Sequence, residues 1–110
     1  MLQAAAIEVC GVRDGNASVP ASVVIHGVKV VFLGYSLRPR QYFTEEPLYA
    51  EGRRHDILAD VRAARQATDV VVVSLHWGDE FIERPSPADV ELAHAIIEAG
   101  ADLIIGHHPH

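Results

Sequence analysis

DVVVVSLHWGDE, residues 69–80, and ADLIIGHHPH, residues 101–110, are the two stretches on which the fold turns. In the first, Asp69 leads into four valines, Ser74 and Leu75, a run apolar on both faces and rich in β-branched side chains. A strand buried within a parallel sheet has that composition. In the second, Asp102-Leu103-Ile104-Ile105 repeats the pattern and Gly106 ends it. Between them, Ser86-Pro87-Ala88-Asp89 sets an N-cap, a first-turn proline and an acidic capping partner in the right order. Leu92, Ala93, Ile96 and Ile97 then recur at helical spacing, and Gly100 supplies a C-cap. Strand, helix and strand within about forty residues make a βαβ unit, right-handed almost without exception. The fold class expected is therefore α/β.

Working outward, Ile57, Leu58, Val61, Ala64 and Ala67 recur every three or four residues, with Arg53, Arg54, Asp60, Arg62 and Arg65 mostly on the other face. That predicts an amphipathic helix over Arg53–Ala67. Ser22–Ile25 and Val28–Leu33, separated by His26-Gly27, predict a hairpin. Gly34–Gly52 carries Pro39, Pro47 and three tyrosines without clear period and reads as a long loop. RDGNASVPAS, residues 13–22, reads as an irregular loop, and Met1–Ala6 as the tail of a helix running into Ile7, Val9 and Gly11. No repeat or low-complexity tract is present.

The chain has 110 residues, enough for one small domain or part of a larger one. Lys and Arg number 9 against 15 Asp and Glu, and the resulting charge of −6 argues against a nucleic-acid partner held by a basic face. No apolar run approaches the roughly 18 residues needed to cross a bilayer. MLQAAAIEVC lacks the basic start of a secretory signal. Cys10 is the lone cysteine, which excludes an internal disulfide and reads as a small buried hydrophobe.

Seven histidines stand out, three of them in the last four residues. Ligands of parallel sheets bind beyond the carboxyl ends of the strands. His76 follows one strand directly, and His107, His108 and His110 follow the other. With strands about 4.8 Å apart, both groups meet at one edge of the sheet. Residues two apart in extended chain face the same way, so His108 and His110 can share a metal, with His107 directed away or toward a second ion. Pro109 between them fixes one backbone angle. Asp79 and Glu80 add carboxylates, and Gly78 permits close approach of backbone. Mixed imidazole and carboxylate ligands suit Zn, Mn or Fe better than Ca or Mg. Such an ion lowers the pKa of bound water toward 7 and polarises a phosphoryl oxygen. Asp79 or Asp102 would orient a metal-bound imidazole. His26 and His55 read as solvated, His94 as exposed or packed at the edge of its helix, and Trp77 as either a stacking platform or a lid on the core. Arg38 and Arg40 either grip a phosphate or carboxylate polymer or, the heavier reading, lie on a solvated loop face.

LHWGDE (Leu75 to Glu80), AGADLIIGHHPH (Ala99 to His110) and VKVVFLGYS (Val28 to Ser36) together resemble the capsule-synthesis CapA family. That family includes the PgsA-type poly-γ-glutamate proteins and has a calcineurin-like metallophosphoesterase fold. The resemblance covers most of the chain and implies a partial domain over residues 1–110. The family's Gly-Asp and Asn-Asn-His metal motifs would lie upstream, and further strands downstream. By this likeness His76, His108 and His110 are metal ligands, and His107 is a ligand or a phosphate contact. Glu80 matches the family's glutamate, so the catalytic set implied is His76, His107 and Glu80. The implied activity is a metal-dependent phosphoesterase-type hydrolase with a dinuclear Mn, Zn or Fe centre in the intact parent. It would act on a phosphoester or anionic polymer beside membrane polymer-synthase subunits, on the extracytoplasmic side. A non-catalytic accessory subunit that binds metal or polymer is the alternative, and the chain by itself is expected to be inactive.

Overall fold

The apolar runs form the strands expected of them, and the chain follows the order β1 (Val12–Asp14), β2 (Ala17–Val19), β3 (Ala21–Ile25), β4 (Val28–Ser36), α1 (Arg54–Ala67), β5 (Val70–His76), α2 (Pro87–Ala99), β6 (Leu103–His107). The structure, a computed structural model, describes residues 6–14, 17–38 and 49–109. Four strands form one sheet in the order β3-β4-β5-β6. β3 is antiparallel to β4, whereas β4, β5 and β6 run parallel. Two βαβ units thus share β5, and the α/β class holds. No described helix is long and apolar enough to cross a membrane.

Alternation along the strands decides what is buried. Val31, Leu33 and Tyr35 of β4 and Val71, Val73 and Leu75 of β5 point to one face. Ile57 and Val61 of α1 and Leu92 and Ile96 of α2 meet them there, in one core with Ala50 and Ala101. The opposite face stays apolar but open at the β6 side, where Leu103 and Ile105 are 50% and 47% exposed. α2 starts as its sequence demands, with the Ser86 hydroxyl accepting from the Asp89 N–H at 3.1 Å. It ends at Gly100, whose φ of 128° few other residues adopt.

Three details depart from the sequence reading. The segment read as an irregular loop holds β1 and β2, paired antiparallel with Val12 opposite Val19 and Asp14 opposite Ala17. Turn-forming residues mark a tight hairpin as readily as a loop, and three-residue strands carry too little periodicity to separate the two. β4 runs on to Ser36 rather than stopping at Leu33. Gly34 is not a strand terminator, because Gly11 crosses it so closely that an added Cβ would lie 3.2 Å from the Gly11 Cα. A glycine inside a strand commonly marks such an approach. Cys10 beside it is half-buried rather than buried. The expected helix tail falls mostly outside the described residues, as does much of the long loop.

The amino edge of the sheet is tied by Arg65. Its Nη1 donates to Asp102 Oδ2 at 2.7 Å and to the Gly100 carbonyl at 3.3 Å, while Nη2 donates to the carbonyls of Thr68 and Asp69. The Val71 N–H bonds the same Asp102 oxygen at 2.8 Å. That N–H first, and then Arg65, hold the Asp102 carboxyl below the usual aspartate range. Asp102 therefore sits at the end of the sheet opposite the histidines, and its expected support of a metal-bound imidazole is corrected.

Tyr35 carries a testable consequence of this core. Its hydroxyl donates to Asp60 Oδ2 at 2.6 Å, and the side chain is 5% exposed. Burial, and next the Asp60 carboxylate, push the phenol far above its ordinary value of 10.0. The folded state keeps a proton that the unfolded chain releases near 10, so this stabilisation is complete below that pH and declines above it. The decline is at most about 1.4 kcal/mol per pH unit. Urea unfolding of Tyr35→Phe should show a shallower alkaline loss of stability than the unsubstituted chain. Identical slopes would mean that Tyr35 does not hold its proton in the fold.

Candidate functional site

His76 is the last residue of β5 and His107 the last of β6, and the parallel register sets them opposite each other. Their ring centroids are 5.2 Å apart. The chain then bends at His108, whose φ of 106° is rare for a residue with a side chain. His108 turns its ring to within 4.4 Å of His76, edge to face. Three imidazoles from two strands thus meet at the carboxyl edge, although His76 and His107 lie 31 positions apart (107 − 76). His110, the remaining expected ligand, lies outside the described residues.

Serines of the neighbouring strand ends accompany the rings. Ser36 Oγ is 3.5 Å from His76 Nδ1, and Ser74 Oγ is 3.3 Å from His107 Nε2. The ladder continues past the strand ends, with the Leu37 N–H donating to the His76 carbonyl at 3.0 Å and the Trp77 N–H to the His107 carbonyl at 3.1 Å. These bonds fix the backbone from which each imidazole projects.

Arg38 joins the edge from the third segment. Its Nη1 donates to Glu80 Oε1 at 2.8 Å and to His108 Nε2 at 2.5 Å. A guanidinium has no acceptor, so His108 Nε2 must accept here. The His108 side chain is 5% exposed, against 32% for Arg38 and 41% for Glu80. The heavier sequence reading, a solvated loop face for Arg38, is thereby corrected. Arg40 lies outside the described residues.

Two cavities flank this arrangement and share Arg38. One, of about 490 Å³, is bordered by Trp77, Asp79, Glu80, Asp89 and His108. The other, of about 530 Å³, is bordered by Cys10, Ser36, Tyr49, Ser74, His76 and His107, with no carboxylate among the described residues of its wall. Trp77 packs on the hydrophobic core, so closing that core is its structural role, and it also borders the first cavity. His26, His55 and His94 are exposed, in a turn, at the start of α1 and on α2.

Imidazole and carboxylate donors are the right kind for a borderline divalent ion. Among the described residues, however, no group of three or more His, Cys, Asp or Glu side chains is arranged to hold one. The Arg38 guanidinium is bonded to both His108 Nε2 and Glu80. As they stand, the described residues do not fit a metal.

Sequence reasoning missed Ser36 and Ser74. The available signal was a lone hydroxyl near the end of each apolar run, one strand over from a histidine. Arg38 was noticed but given too little weight, because its partners lie 42 and 70 residues away along the chain.

The chain is an α/β domain with imidazoles gathered at the carboxyl edge, the edge at which parallel sheets commonly take ligands. Comparison narrows it: the model of the bacterial capsule synthesis protein family PGA_cap matches residues 1–110, and the chain belongs to that family. It is 36% identical to the capsule biosynthesis protein CapA of Bacillus anthracis over an alignment of 93 residues that covers 78% of this chain and 23% of that protein. The PGA biosynthesis protein CapA of Bacillus subtilis is 46% identical over 50 residues, 46% of this chain and 13% of that protein. A Mycobacterium tuberculosis protein named "Probable polyglutamine synthesis accessory protein" is 40% identical over 55 residues, 50% of this chain and 14% of that protein. The chain thus spans less than a quarter of the length of these relatives.

Proposed function

We propose that this domain contributes one wall of a phosphoester- or polymer-handling site in a longer protein serving capsule poly-γ-glutamate synthesis. The observation that carries the reading is the convergence of His76, His107 and His108 with Glu80 at the carboxyl edge. Family membership supplies the polymer context. In this reading His76, His108 and His110 are metal ligands of the intact parent, drawing Mn, Zn or Fe. His107 and Glu80, with His76, face the substrate, and Ser36 and Ser74 orient imidazoles. The parent acts beside membrane polymer-synthase subunits on the extracytoplasmic side. None of these roles needs a nucleic-acid partner, consistent with the charge of −6.

One observation favours a second reading, an accessory protein that binds metal or anionic polymer without turnover. Arg38 commits the His108 lone pair and the Glu80 carboxylate to a guanidinium. A relative whose name carries the word accessory points the same way.

Assay of the full-length parent with p-nitrophenyl phosphate esters and Mn or Zn separates the two. A hydrolase should lose about a hundredfold or more of its turnover on His108→Ala. Bound ion without turnover on any ester would establish the accessory reading instead.

A further inference from the structure

The two cavities at the carboxyl edge differ in the charge of their walls, and Arg38 stands between them. One carries the carboxylates of Asp79, Glu80 and Asp89. The other carries the hydroxyls of Ser36 and Ser74 and the imidazoles of His76 and His107. Arg38 is the one permanently charged side chain among the described residues of that second wall. An anion is repelled from the first cavity and drawn to the second.

We propose that the second cavity is an oxyanion site, which takes a carboxylate or phosphate group against Arg38, Ser74 and His107. The assignment rests on the reading above that this edge handles a phosphoester or an anionic polymer. Both bonds of Arg38 to Glu80 and His108 are made by Nη1. A guanidinium has five N–H donors in a planar fork, so the three on Nε and Nη2 lie outside those bonds. Holding one corner of the fork restrains its plane, and a restrained fork suits the two oxygens of a carboxylate or phosphate. The Arg38 backbone is anchored as well, its N–H donating to Ser36 Oγ at 3.4 Å. At 32% exposure the side chain is partly withdrawn from water yet within reach of a ligand. Glu80 thus bears on this cavity through the guanidinium it holds.

Ser74 and His107 add a neutral donor. Ser74 Oγ and His107 Nε2 are 3.3 Å apart. A neutral imidazole has one N–H and a hydroxyl one O–H. If the hydroxyl donates in that bond, Nδ1 keeps the proton of the ring. If Nε2 donates, the proton of the hydroxyl is left over. In either case the pair keeps one donor for a ligand beside the guanidinium. Ser74 and His107 share the sheet face opposite the helices with Ile105, which is 47% exposed, so that face is open on the β6 side.

The test is titration of the 110-residue chain with inorganic phosphate and, separately, with glutarate, followed by the backbone amide shifts. The amides of Ser36, Ser74 and His107 should move more than those of Asp79 and Glu80. The tighter of the two anions tells whether the group bound is a phosphate or a carboxylate. Arg38→Gln should weaken binding about tenfold or more. Ser74→Ala should weaken it about threefold to tenfold with Arg38 in place, and carries the test if Arg38→Gln disturbs the fold. Arg84→Gln removes the same charge from beyond Trp77 and Asp79 and should leave affinity within about twofold. Equal losses from Arg38→Gln and Arg84→Gln would reduce the binding to net charge and overturn the site. Shifts confined to Asp79, Glu80 and Asp89 would overturn the assignment while leaving an anion-handling edge in place. No response to either anion would also overturn it, and the ester assay of the parent would then decide the wider reading by itself.

Discussion

Leu75→Ala is expected to cost about 2–5 kcal/mol of folding stability and to loosen the histidine cluster at the same time. Leu75 is fully buried, with Tyr35 beside it on β4 and Gly106 on β6. Glycine has no side chain to lean into the void, so collapse around the truncated site is limited and the larger part of that range applies. A domain of this size has a total stability of about 5–15 kcal/mol, and this one leaves much of its second sheet face open. The loss is thus a large share of the whole. Because His76 follows Leu75 directly on β5, lost packing under that strand end is felt by the backbone that carries the His76 ring, which stands 4.4 Å from His108. Chemical denaturation reads the first effect, and proton contacts between the His76 and His108 rings read the second. Leu103→Ala is the internal comparison. The residue type and the truncation are the same, but Leu103 is 50% exposed on the opposite face, and its loss should cost well under half as much. Equal costs for the two variants would mean that the core does not lie under the helices.

Where the sequence was legible, it was because one local signal sufficed. Val70 to Leu75 is mostly apolar on both faces, as suits a central strand, and β5 has a strand on either side with Val72 buried even on the second face. Ser86-Pro87 and Gly100 mark the ends of α2 by backbone chemistry that acts within a few residues. The meeting of His76 and His107 was legible one step further out, because parallel strands end at a common edge. What stayed hidden depends on contacts between distant segments. Arg65 sits among the polar residues of an amphipathic helix, and nothing within the helix tells that its guanidinium ties the starts of β5 and β6. Gly34 looks like a terminator until Gly11 is seen to cross it. The bend at His108 breaks the two-residue alternation on which the sequence argument about His108 and His110 relied. Arg38 was the largest of these omissions, since both its partners are on other loops.

Gly106→Val should dislodge Trp77 and with it the roof of the core at the site edge. A Cβ built on Gly106 would lie 2.7 Å from Trp77 Nε1, well inside the roughly 3.5 Å of ordinary contact. Strand β6 is held to β5 along its length, and the Trp77 N–H itself bonds the His107 carbonyl, so the backbone cannot retreat. The indole must move instead. Trp77 packs on the core, and giving up about 100 Å² of that contact corresponds to about 2–3 kcal/mol. Valine adds two further methyl groups that the space cannot take, so Gly106→Ala should show the same change in smaller measure. Trp77 is the single tryptophan of the chain, which makes its fluorescence a direct report on this one contact. A red-shifted emission in both variants, larger for valine, is the expected result, together with a lower urea midpoint. The displaced ring also borders the cavity lined by Asp79, Glu80 and His108, so the wall of that cavity moves with it. Unchanged emission in the valine variant would place the indole elsewhere. The lid over the strand end would then have to be sought among the residues that follow Trp77 rather than in Trp77 itself.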